Sequence, residues 1–287
     1  MWKKISIFIC AVVTAALAGI WINDSFPRTQ RADPLVPQKA LIKTNFFMPE
    51  VFYSGDRESE AIEDDQRVIA VLVPHHLIAG KEISKIFKLL QSKGYTEVFI
   101  IGPNHYVAGQ ANILTSDADF ETPFGVQRGS QWIGYPRMAP ELLEDEHSVM
   151  GLMPYVKFYL AAEAQPFIIK AKTSREELDA LAHAIDRSLG DHAIAIFSID
   201  FSHYLPKGIA DKNDARTAAA LLALDQGFVY NLDNDYLDSP PSLVVMFMLC
   251  RARGAKFKII DHTNSADLIG QPKLMSTTSH FTGYCAI

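Results

Sequence analysis

The chain has 287 residues, 48% of them hydrophobic and 21% charged, with a formal net charge of −6. That balance excludes a disordered or fibrous chain and leaves room for one large domain or two small ones. No basic stripe interleaved with aromatics appears, which argues against a nucleic-acid partner.

Lys3 and Lys4 precede an uncharged apolar run from Ile5 to Ile22. Such a run reads as an export signal or an uncleaved membrane anchor. Ala16-Leu17-Ala18 would suit cleavage, but Ile20, Trp21 and Ile22 follow it directly and favour the anchor. The rest of the chain is then expected outside the cytoplasm, tethered through residues 1–22 or secreted. Residues 23–42 read as a stalk, and the folded domain is expected over 43–287. The acidic stretch "GDRESEAIEDDQ" leads into its first long strand.

Val68 to Val73 is almost wholly β-branched or aliphatic, as in a strand covered on both faces. Pro74 cannot donate to a central ladder and ends it. From Ala79 the stretch "AGKEISKIFKLLQSKG" has the period of an amphipathic helix that stops at Gly94. "EVFIIGPNH" is a second buried strand, and "DADFETPF" an antiparallel excursion between "ANILTS" and "GVQRG". "AQPFIIKAKT" is a strand, followed by a helix that Ser174 and Glu177 cap as a box. "HAIAIFSIDFSHY" reads as one long buried strand. "DKNDARTAAALLALDQG" and "PPSLVVMFMLCRARG" read as helices, the second opened by prolines. "AKFKIIDHTNS" and "TSHFTGYCAI" close the chain as strands. This alternation predicts a single α/β domain with a mainly parallel or mixed central sheet flanked by helices.

Cys10, Cys250 and Cys285 lack C-x-x-C spacing, so neither a zinc knuckle nor a redox dithiol is indicated. Cys250 and Cys285 are expected as buried free thiols, with a disulfide after export as the alternative.

Three strands end in histidine: "VPHH", "GPNH" and "DFSH". The carboxyl edge of an open α/β sheet is where ligands bind. Imidazoles gathered there can bind a metal or move protons near neutral pH. Adjacent side chains at a strand end point to opposite sides, so only one of His75 and His76 can join such a site.

"VPHHLIAG", "IIGPNHY", "ETPFG", "DEHSVMGLMPY" and "SIDFSHY", in this order and spacing, resemble the MEMO family, of the AmmeMemoRadiSam system protein B type. The resemblance covers roughly Lys43 to Ile287. It implies a fold like that of the LigB-type class III extradiol dioxygenases, which hold Fe(II) through two histidines and a carboxylate. Carried over by motif, the first two metal-site histidines fall on His75 and His105, and the pocket Asp and His on Asp200 and His203. The family's metal-binding cysteine is replaced here by Asp238 in "NDYLDSPPSLVVMF". The thiolate suits copper, whereas a carboxylate suits harder ions. Asp238 is therefore either a third ligand, favouring Fe(II) with copper as the alternative, or only the cap of the helix that starts at Pro240.

His203 is the candidate for proton transfer, with Asp200 holding its tautomer. His147 is expected at the pocket wall, and His76 and His262 beside the crevice. Met150 and Leu152 stand where relatives carry more polar residues and would give the pocket an apolar wall. His183, His192 and His280 have no motif partner. The leading functional expectation is a metal-dependent redox enzyme of dioxygenase type. The alternatives are a non-catalytic module binding a peptide or small molecule in the same crevice, and metal-assisted hydrolysis. The geometric expectation is that His75, His105 and Asp238 converge, with His203 one layer out and Asp200 behind it.

Overall fold

The computed structural model of the protein describes residues 39–130 and 134–287. The apolar run at 5–22 and the stalk up to 38 lie outside the described residues. Among the described residues, no helix is long and apolar enough to cross a membrane. The expectation of a tethered, extracytoplasmic chain is corrected accordingly.

The described chain opens with β1 (Leu41–Lys43), α1 (Pro49–Glu58) and β2 (Val68–Val73), then a 3-10 turn, α2 (Gly80–Gln91) and β3 (Glu97–Pro103). β4 (Ile113–Thr115), β5 (Asp119–Thr122) and β6 (Gly125–Gln127) precede three short helices. These are α3 (Pro140–Glu144), α4 (His147–Met150) and α5 (Met153–Tyr159). Next come β7 (Glu163–Ile169), α6 (Arg175–Ser188), β8 (Ala193–Ser198), β9 (Phe201–Leu205), α7 (Lys207–Ala223) and α8 (Gln226–Val229). The chain closes with α9 (Pro240–Ala252), β10 (Lys256–Asn264), α10 (Ser265–Leu268) and β11 (Thr277–Ala286).

The fold is mixed α/β. Its main sheet runs in the order β10-β11-β2-β8-β3-β7-β4, with β9 also paired to β11. The central strands β2, β8, β3 and β7 are parallel, and the outer pairs antiparallel. A smaller sheet joins β1, β5 and β6. β1 and α1 thus belong to the folded unit, and Phe52 of α1 is buried.

The central strands are mostly apolar, β2 at every position, because both faces are covered. Phe99, Ile101, Ala195 and Phe197 pack with α6 and α9 on one face. Val98, Ile100, Ile194 and Ile196 pack with α2 and α5 on the other. The period of two divides one apolar run between two cores. Burial of each such side chain contributes about 1.5–3 kcal/mol. Ser174 and Glu177 form the anticipated capping box of α6.

Two expectations change. The long strand from Ala193 splits into β8 and β9, and β9 leaves the parallel set to pair antiparallel with β11. Ser202 and Tyr204 adopt φ of 22° and 58° there, a region unfavourable for side chains other than glycine's. The Ser202 hydroxyl is held by the buried Asp214 carboxylate at 2.7 Å, which helps to fix this bend.

The second change concerns Cys250 and Cys285, which form a disulfide rather than two free thiols. Both lie in the core that covers the α6 and α9 face. Their Cα atoms are 5.9 Å apart, within the roughly 4.4–6.8 Å that a bridge spans. Packing of α9 against the terminal strand, which sequence spacing does not reveal, brings them together. The bridge closes a separation of 35 residues, so replacing both cysteines by alanine should lower the unfolding free energy by about 3–4 kcal/mol. Denaturant titration checks the loss, and peptide mapping without reductant should recover the cross-linked pair.

Candidate metal centre

Register brings the site together. Val73 of β2 pairs with Ser198 of β8, so His75 and Asp200, each two residues further on, emerge at one edge. β3 ends at Pro103 and delivers His105 to the same side.

His75 is almost wholly buried. Its Nδ1 lies 3.1 Å from Ser198 Oγ. That hydroxyl donates its one hydrogen to the Ser148 carbonyl, so toward the imidazole it acts as an acceptor. Nδ1 therefore carries the proton, and Nε2 turns its lone pair into the site.

His105 is oriented in the same sense by a residue that sequence reasoning did not single out. Glu146 takes the His105 Nδ1–H at Oε1, 2.7 Å, and the His105 backbone N–H at Oε2, 2.9 Å. It also accepts the Ser148 N–H and so caps α4. The signal was a carboxylate directly before a helix-starting histidine in "DEHS". Gly102 makes the approach feasible: a Cβ there would stand 2.9 Å from Ser148 Oγ. His147 stacks on His105 with centroids 4.3 Å apart and planes 14° from parallel.

Asp238 faces both imidazoles. Its Oδ2 is 3.0 Å from His75 Nε2 and 3.5 Å from His105 Nε2. Neither carboxylate oxygen is aligned for a hydrogen bond to any described residue, although both are buried. The helix cap is instead Ser239, whose side chain accepts from Ser242 N. Asp238 is thus not the cap of α9.

Asp200 does not stand behind His203. Its Oδ1 accepts the backbone N–H groups of His75 and His76 at 3.1 and 3.4 Å. Its Oδ2 is 3.4 Å from His75 Nε2. His203 Nδ1 is buried without a hydrogen-bond partner among the described residues.

Among the described residues, two overlapping groups could hold a cation. His75, His105 and His147 form one, and His75, Asp200 and Asp238 the other, with donor atoms within 4.8 Å of one another in each group.

The remaining candidates point elsewhere. His76 Nδ1 meets His280 Nε2 at 3.1 Å, and His280 Nδ1 meets Thr263 Oγ1 at 3.2 Å. His280 therefore has partners that the sequence did not show. His262 bonds Asp214 at 2.8 Å and stacks on Phe281, so it is not brought into the cluster. Met150, Leu152 and Met153 are fully buried core and give the crevice no apolar wall. A cleft of about 420 Å³ borders Asp238, lined in part by Tyr230, Asn234 and Asp235.

The charges are strongly coupled. Burial alone would lower the His75 pKa, but the Asp200 and Asp238 carboxylates outweigh it and raise it. For His105, burial again opposes, and contacts with Asp238 and Glu146 carry the value up to about 10. Asp238 is held below the usual carboxylate range. Burial would raise it, but the His75 charge and contacts with both imidazoles prevail. Burial, then repulsion from His75 and His105, lowers His147 to about 4. Burial also lowers His280 to about 3.

Together these features define a mixed α/β domain with a buried histidine–carboxylate cluster at the carboxyl edge of its parallel strands. The sequence matches the Memo-like protein family over residues 47–279, and the chain belongs to that family. A MEMO1 family protein of Caldivirga maquilingensis is 24% identical over 230 residues, 72% of this chain and 80% of the relative. One from Aquifex aeolicus is 27% identical over 219 residues, 70% and 80% of the two chains. A third, from Desulfurococcus amylolyticus, is 24% identical over 239 residues, 76% and 82%.

The raised His105 pKa makes a signed prediction for the metal-free protein. Its folded value near 10 exceeds the ordinary 6.5, so its contribution is complete below pH 6.5 and lost as pH rises through about 10. Unfolding free energy should fall across that window, and Glu146→Gln should flatten the fall. Chemical denaturation at a series of pH values measures both.

Proposed function

We propose that the protein is a metal-dependent redox enzyme whose divalent ion, iron(II) before copper, is held by His75, His105 and Asp238. The observation that carries this reading is the buried Asp238 carboxylate, 3.0 and 3.5 Å from two Nε2 atoms yet hydrogen-bonded to no described residue. Asp238 Oδ2 within 3.5 Å of both Nε2 atoms sets three acceptors side by side, a place that a cation would stabilise. Two imidazoles and a carboxylate are also the donor set of non-haem iron oxygenases, which keeps positions open for substrate and oxygen. An ion bound there would supply one-electron chemistry that amino-acid side chains lack.

The chain's own residues do the rest. Ser198 and Glu146 fix both imidazole tautomers, as outer partners of metal-binding histidines do. Asp200 anchors the backbone at His75 and His76 and adds negative charge beside the ligands. His203 is the residue we assign to proton transfer. Its buried Nδ1 makes no hydrogen bond to a described residue. We assign a small-molecule or peptide substrate to the cleft that, among these residues, only Asp238 borders. The reading as a non-catalytic module is weaker, because the apolar wall at Met150 to Met153 on which it rested is core.

Iron(II) added without oxygen at 100 times its dissociation constant should stabilise the fold by about 2.7 kcal/mol, and a chelator should reverse the gain. Asp238→Asn and His75→Ala should each weaken binding at least about tenfold, the low end of what losing even an outer partner costs. Elemental analysis and thermal unfolding provide the readouts. Wild-type protein that neither retains iron or copper nor gains stability from them would overturn the proposal.

A further inference from the structure

His147 is not needed for the iron site proposed above, yet its place in the fold is specific. It begins α4, next to the Glu146 that orients His105. Its ring lies 4.3 Å from that of His105 and 5.2 Å from that of His75. Neither of its ring nitrogens hydrogen-bonds a described residue, the nearest carboxylate oxygen being Glu146 Oε1 at 4.0 Å. That oxygen already accepts from His105 Nδ1 and Ser148 N, so His147 has a nitrogen to spare. Its side chain is 36% exposed, against 2% for His75 and 5% for Asp238.

The cluster is therefore graded in depth and in chemistry. At its floor, His75, Asp200 and Asp238 combine one imidazole with two carboxylates. Toward solvent, His75, His105 and His147 offer three imidazoles, and in each group the donor atoms lie within 4.8 Å. Carboxylates suit hard ions such as Mn(II), and imidazoles suit the borderline ions Cu(II) and Zn(II). His75 presents one nitrogen to both groups, because Ser198 occupies the other. The two groups can then serve one ion at a time, not two.

We infer that His147 is a metal ligand once its ring turns out of the stack on His105, and that with His75 and His105 it gives this protein a three-imidazole position for a borderline ion such as Cu(II), overlapping the carboxylate-rich position. The inference rests on the metal-binding reading above. It makes His147 the residue that sets metal preference, where the iron site alone would leave it as pocket wall.

The test is titration of the full chain with Cu(II) and with Mn(II), each against a competing chelator. Wild type is compared with His147→Phe and Asp238→Asn. Phenylalanine keeps a ring to stack on His105 and removes only the nitrogens, and thermal unfolding verifies that the variant is folded. His147→Phe should weaken Cu(II) binding at least about tenfold, judged by the loss that outer partners alone produce, and leave Mn(II) binding unchanged. Asp238→Asn should weaken Mn(II) more than Cu(II). Electron paramagnetic resonance of the Cu(II)-loaded protein should lose one coupled nitrogen in His147→Phe. Equal affinities and an unchanged nitrogen count would overturn the role of His147 while leaving the iron site standing. Wild type that binds neither ion would overturn both.

Discussion

The site depends on a single constraint: which nitrogen of each imidazole carries its proton. Ser198 can only accept from His75 Nδ1, because its own hydrogen is given to the Ser148 carbonyl. Glu146, a carboxylate, can only accept from His105 Nδ1. Both Nε2 atoms are thereby left to the site, 3.0 and 3.5 Å from Asp238 Oδ2, itself an acceptor. Acceptors facing acceptors in a buried place are repulsive unless a cation lies among them. Without metal that cation is a proton, which is why His75 and His105 hold theirs so firmly. A metal ion competes for the same place.

The fold supplies this arrangement at the ends of rigid elements. β2, β8 and β3 are parallel neighbours, and their carboxyl ends bring His75, Ser198, Asp200 and His105 to one edge. Gly102 allows α4 to come close enough for Glu146 to reach His105. The segment before α9 lies against β9, with Asp238 N–H donating to the Asp200 carbonyl at 3.1 Å. The Cys250–Cys285 bridge ties the far end of α9 to β11, which pairs with β2. The two segments bearing Asp238 and His75 are thus fixed to each other at both ends of α9.

Much of this was legible in the sequence. Apolar runs that stop at proline or glycine mark the strands, and histidines just past three of them mark the edge. The motifs around His75, His105 and His203 carried the family. What stayed hidden was tertiary. The break after Ser198 looks apolar on both sides, so "FSIDFSHY" read as continuous strand although Ser202 and Tyr204 turn it. Asp238 directly before prolines fits a cap as well as a ligand, and only the hydroxyl of Ser239 at the helix start decides the matter. Pairing of Asp200 with backbone N–H groups 124 and 125 residues away leaves no local pattern. Met150 and Leu152 carry the same hydrophobicity whether they line a pocket or fill a core.

The most direct test of the account is a crystal structure of the iron(II)-loaded protein, with anomalous scattering recorded on either side of the iron edge. The account predicts one anomalous peak bounded by His75 Nε2, His105 Nε2 and Asp238 Oδ2. A structure in which the Asp238 carboxylate turns away from both imidazoles, or in which iron binds elsewhere, would contradict it.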